Sequence, residues 1–96
     1  DNSYYAAMAI QSFACADTHL LFTTGRSPRF ANIKKVAERK LAQLDAAPSL
    51  MFMKAPPGND LKEYGGAWHV RINKLWRLTF KWGQNGPFDV LIEDPH

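Results

Sequence analysis

Phe30, Ile33, Ala37, Leu41 and Leu44 recur at intervals of three, four, four and three residues. That spacing puts them on one face of a helix opened by the SPRF segment and ended by Pro48. The other side of this helix is read as Lys34, Lys35, Glu38, Arg39 and Lys40. It is either a solvated face or a contact surface for phosphates or an acidic partner helix, since four cations stand against one carboxylate. Later in the chain the period changes to two. Trp68, Val70 and Ile72 alternate with His69 and Arg71, and Trp76, Leu78, Phe80 and Trp82 alternate with Arg77, Thr79 and Lys81. Alternation of this kind predicts strands whose side chains leave on opposite faces. Asn73-Lys74 reads as a tight hairpin turn, GQNGP as the next turn and FDVLIED as a last strand.

Upstream, AIQSF at 9–13 alternates as a short strand would. CADTHLLFTTGR predicts a short helix with Asp17 or Thr18 as its N-cap and Gly25 as its stop. APPGND is a loop, because two prolines and a glycine exclude regular structure, and LKEYGGA is expected to stay irregular and polar. Helices followed by an antiparallel meander predict an α+β domain. One sheet face packs on the long helix, and the other carries His69, Arg71, Arg77, Thr79 and Lys81 side by side.

Composition narrows the picture further. Ninety-six residues suffice for one domain, and 46% hydrophobic residues with three Trp and six Phe argue for a packed core over disorder. No apolar run approaches the roughly 18 residues of a membrane span, and no basic-then-apolar leader opens the chain, which predicts a cytoplasmic protein with no membrane partner. The single cysteine, Cys15, excludes an internal disulfide and a multi-cysteine metal site, and is expected as a small buried apolar side chain. Residues 1–7 are expected to be vector-derived or upstream sequence, with a single domain over 8–96. The net charge of +3, or +4 when Asp1 is left out, favours an acidic partner such as nucleic acid.

Three cations and a histidine on two adjacent strands depart from the mixed signs of an ordinary solvated face. Such a face either serves solubility or clamps a polyanion, since arginine can hold a phosphate with two hydrogen bonds. Cleavage of RNA by its own 2′-hydroxyl needs a base, a cation for the crowded phosphate and an acid for the leaving oxygen. Histidine titrates in the right range, and Arg77 is placed to stabilise the phosphorane-like charge. No metal or other cofactor is expected, because Asp89, Glu93 and Asp94 are too few and too scattered for a two-metal site.

The segments SFACADTHLLFTTGR, IKKVAERKLAQLDAA, PPGN, RINKLWRLTFKW and IEDPH follow one another over nearly the whole chain. In that order they resemble the HigB-type "plasmid maintenance system killer" toxins of the RelE/ParE superfamily. The resemblance implies two N-terminal helices packed on a small antiparallel sheet. It also implies a bacterial toxin that cuts messenger RNA, usually on the translating ribosome. Its neutraliser would be a HigA-like helix-turn-helix antitoxin, with operator DNA contacted only through that partner. By the same resemblance Arg77, His96 and Lys62 carry catalysis, while Arg71, Lys81 and His69 bind the substrate.

Two departures stand out. Family members commonly end in a Tyr-His pair; here His96 matches the histidine, but Pro95 holds the tyrosine position and offers neither a proton nor a hydrogen bond. The stretch between PPGN and RIN is also shorter than the family's Leu-Lys-Gly-Asp loop. Lys62 stands for the family lysine there, or in an alternative alignment lies one turn away. The histidine that some members place before that lysine has no counterpart, with Asn59 or Asp60 falling near it. These departures leave two alternatives beside a weakened ribonuclease: an impaired protein that only binds RNA, ribosome or antitoxin, and a ParE-like inhibitor of DNA gyrase.

Overall fold

A computed structural model describes residues 9–94. Helix α1 (Ala16–Thr24) and helix α2 (Lys34–Ala46) precede strands β1 (Lys62–Tyr64), β2 (Ala67–Arg71), β3 (Arg77–Gly83) and β4 (Gly86–Glu93). The strands form one antiparallel sheet in the order of the chain. The expected α+β architecture is therefore observed. No helix among the described residues is long and apolar enough to cross a membrane.

The five apolar positions read from the sequence are all buried, and they pack with Val70, Leu78, Phe80, Val90 and Ile92 of the sheet. Phe30 meets Trp76 edge-on, with ring centroids 5.5 Å apart. The long helix, however, begins later than SPRF. Residues Pro28–Ile33 form 3₁₀ turns, with Phe30 kinked at φ −108°, ψ 19°. Three residues per turn stack Phe30 directly over Ile33 and send both into the core before the α-helix starts. Helix α1 ends as expected at Gly25, whose φ of 71° lets its N–H reach the Leu21 carbonyl. Its N-cap is Cys15, not Asp17 or Thr18. Thr18 is buried, and its hydroxyl accepts the Ile92 N–H at 2.9 Å, tying α1 to β4.

Three further expectations change. AIQSF contributes one parallel bridge, Phe13 to Val90, and no named strand. The left-handed Asp89 (φ 52°) breaks the edge of β4, and the Ser12 hydroxyl takes the Asp89 N–H instead. The turn at Asn73-Lys74 is a five-residue loop over 72–76. It is organised by the Asn73 side-chain oxygen, which accepts the N–H groups of Leu75 and Trp76, both at 2.8 Å. LKEYGGA is no irregular stretch: it is β1 and a hairpin. Tyr64 pairs with Ala67 across Gly65 and Gly66, whose φ angles of 64° and 79° fit a two-residue turn matched to strand twist.

Lys40 moves furthest from its sequence reading. It lies three residues after Ala37 and four before Leu44, so helix geometry places it on the inner face. It is only 6% exposed. Its ammonium donates to the Asn59 side-chain oxygen, the Asn59 amide donates to the Met53 carbonyl at 3.0 Å, and the Asn59 carbonyl accepts the Arg71 N–H at 2.7 Å. One asparagine thereby joins α2, the turn at Leu50–Lys54 and β2.

Burial, and after it the nearby charge of Arg39, holds the Lys40 ammonium below the ordinary lysine value. The unfolded chain then binds this proton more tightly than the folded one, so folding releases it. Stability should rise with pH in the window just under the ordinary lysine value. Denaturant melts between about pH 8 and about pH 10 are expected to show this rise in the wild type and to lose it in Lys40→Met.

Candidate nucleic-acid interface

The sheet face turned away from α2 is built by alternation and register. Lys62 stands opposite His69, His69 opposite Thr79, and Arg71 opposite Arg77, which in turn faces Glu93. Two arginines directly across adjacent strands repel each other and cost stability unless an anion lies between them. Arg71 is exposed. The Arg77 guanidinium turns to the loop carbonyls of Asn73 at 2.8 Å and Trp76 at 3.3 Å, both through Nη1. Those contacts fix the fork, and among the described residues its other nitrogens have no partner, so they can meet an incoming phosphate.

Lys81 lies four residues along β3 from Arg77, about 13 Å at the usual rise of a strand. Its ammonium is 3.7 Å from the Asp89 carboxylate, both groups about half exposed. Lys62 pairs at 3.4 Å with Asp60, again in solvent. Pairs this exposed hold little energy and exchange readily for a phosphate contact. The cations form a stripe: Arg71 with Arg77 at one end, Lys62 beside the middle, and Lys81 at the other end.

His69 does not stand free on this face. It is 8% exposed, lying beneath the Tyr64 ring, which is stacked on it at 4.0 Å with 10° between planes. Its Nε2 is 3.3 Å from the Tyr64 carbonyl and its Nδ1 is 3.2 Å from the Thr79 hydroxyl. A carbonyl only accepts, so Nε2 carries the proton and, in the neutral ring, the Thr79 hydroxyl donates to Nδ1. Alternation placed His69 on the correct side of β2. The covering Tyr64 comes from β1, a strand in a segment whose polar composition suggests irregular chain. The signal was present, since a Gly-Gly pair between two residue runs of strand type marks a hairpin.

His96 and Pro95 lie outside the described residues. Glu93, the last residue of β4, is opposite Arg77, so the chain leaves the sheet at its paired-arginine end. No group of three or more His, Cys, Asp or Glu side chains comes together among the described residues. Cys15 is half-buried, against the expectation of full burial. Burial raises its thiol, but hydrogen bonds from the Thr18 backbone and hydroxyl and the Asp17 N–H, with the Arg29 charge, outweigh that and leave it below the ordinary value.

Comparison with known proteins adds two findings. The model of the HigB-like toxin family, described as the RelE-like toxin of the type II toxin–antitoxin system HigB, matches residues 12–96. Toxin HigB-1 of Vibrio cholerae serotype O1 (strain ATCC 39315 / El Tor Inaba N16961) is 34% identical over 70 residues, covering 69% of this chain and 73% of that protein.

Proposed function

The chain belongs to the HigB-like family of RelE-like toxins, and from that membership we propose that it halts growth by cutting messenger RNA at the paired-arginine end of its sheet. As the toxin of a type II toxin–antitoxin system it has an antitoxin as partner. We assign that partner the HigA-like, helix-turn-helix type, with operator DNA reached only through it, and a cytoplasmic site of action on the translating ribosome. The observation that carries the reading is the cross-strand pair of Arg71 and Arg77. Glu93 faces Arg77 from β4 but forms no ion pair with it among the described residues, whereas a phosphate could bridge both arginines.

The chemistry follows from the residues at hand. RNA supplies its own nucleophile, the 2′-hydroxyl. Arg71 and the free arm of Arg77 hold the scissile phosphate and spread the charge that builds on it in the transition state. Lys62 reaches the same phosphate from β1 or carries its neighbour, and Lys81 guides the backbone at the far end of the stripe. His96 is the group suited to moving a proton near neutral pH. His69 acts from beneath, orienting Tyr64. No metal is called for in this scheme.

Pro95 favours a second reading, a protein that binds RNA or antitoxin and cuts poorly, because proline cannot share in proton transfer. One experiment separates the readings. The purified toxin is added to ribosomes translating a defined message, in parallel with a gyrase supercoiling assay. Cleavage of the message with supercoiling untouched is the expected result, and Pro95→Tyr should accelerate it. Loss of supercoiling with intact message would move the protein to the gyrase-poisoning branch, and no gain from Pro95→Tyr would count against an impaired site.

A further inference from the structure

Tyr64 is the one aromatic side chain that the chain spends on the polar face of β1, and it is 53% exposed. Its inner ring face is used: it covers His69 in a near-parallel stack. Its position is fixed twice over. The tight Gly65-Gly66 turn sets the end of the strand, and His69, itself held by the Thr79 hydroxyl, donates to the Tyr64 carbonyl. A side chain put on Gly65 or Gly66 would meet nothing within 4 Å, so the hairpin tip leaves open space for a ligand to approach. An aromatic surface kept rigid and half in water gains no core packing from its outer half, yet is ready for stacking.

The cations around it fit the same ligand. Lys62 is two residues away on the same face of β1. Arg71 is two residues beyond His69 on the same face of β2, with Arg77 beside it. An aromatic plane flanked by a track of cations is the arrangement that binds unpaired nucleotides, with bases stacked on rings and phosphates on the charges. We infer that Tyr64 is a stacking platform for one unpaired base of the RNA, at the Lys81 end of the stripe and about 13 Å along the strands from the level of Arg71 and Arg77, so that the order along the stack is base, Tyr64, His69. This inference rests on the reading of the protein as an RNA-cutting toxin and adds a substrate-positioning residue to it. Because stacking accepts any base, Tyr64 contributes affinity and registration of the strand and does not select sequence. It also requires the message to be single-stranded at that nucleotide.

The test uses the full chain and a short single-stranded RNA that carries one 2-aminopurine between uridines. Titration with the wild type should quench the 2-aminopurine fluorescence as its base stacks. Tyr64→Phe keeps the ring and should keep both quenching and affinity. Tyr64→Leu should lose the quenching and weaken binding about ten-fold, the loss typical of one stacked base. A duplex of the same length should bind the wild type and Tyr64→Leu equally, since its bases are not free to stack. Thermal melts of both variants establish that each is folded. If Tyr64→Leu binds and quenches as the wild type does while Arg77→Ala weakens binding, the platform is overturned and the RNA reading stands. If the wild type binds neither RNA, the RNA reading falls and takes the platform with it.

Discussion

Arg77→Ala is expected to abolish growth inhibition and to lower the rate of RNA cleavage by about 10² to 10³-fold, the loss typical when one preorganised donor to a transition-state charge is removed. The size follows from position. Arg77 is already anchored through Nη1 to the Asn73 and Trp76 carbonyls, so its remaining nitrogens meet the phosphate without first being ordered. It also stands opposite Arg71, where an arriving phosphate relieves an existing repulsion. Folding should survive the change to within about 0.5 kcal/mol, because the lost hydrogen bonds lie at the surface and the like-charge pair disappears. Arg77→Lys keeps the charge and loses the fork, and should fall between the two. Single-turnover cleavage rates beside thermal melts check both halves; full toxicity in a folded Arg77→Ala variant would sink the mechanism.

The largest effect on stability is expected at Asn59. Asn59→Ala leaves the buried Lys40 ammonium and the Met53 carbonyl without their partner, at a cost of about 3 kcal/mol. For a domain of this length that lowers Tm by about 15 °C. The origin of the cost can be isolated. In a Lys40→Met background the stranded charge is gone, so Asn59→Ala should cost clearly less, and the difference is the coupling between the two residues. Equal costs in the two backgrounds would show that Asn59 acts only through the loop backbone. The same residue bears on the site, since its carbonyl holds the Arg71 N–H at the end of β2.

Much of this architecture was legible because it follows from period alone. The five-residue apolar stripe of α2 and the alternation through β2 and β3 placed the core and its opposite face, as well as Arg71 and Arg77. Features that depend on contacts distant in sequence do not follow from period. The charge of Lys40 points to solvent, although its spacing from Ala37 and Leu44 puts it inside; the Asn59 oxygen across the loop makes that position tenable. Alternation gives the face of His69, but its burial depends on Tyr64, and Tyr64 is brought there by a hairpin whose Gly-Gly signal sits among polar residues that obscure it. Thr18 has the composition of a helix cap and instead takes an N–H from β4, which only the folded chain brings near. For the site, the arginines were visible as a charge pattern, whereas their direct opposition is a matter of register across the loop at 72–76.

RNA cut at this face through its own 2′-hydroxyl must carry the mark of that attack. The chemistry of the new RNA ends tests it most directly. Message cut on ribosomes by the wild-type toxin should carry 2′,3′-cyclic phosphate on the upstream fragment and a free 5′-hydroxyl on the downstream one. Fragments bearing 5′-phosphates and 3′-hydroxyls would contradict it.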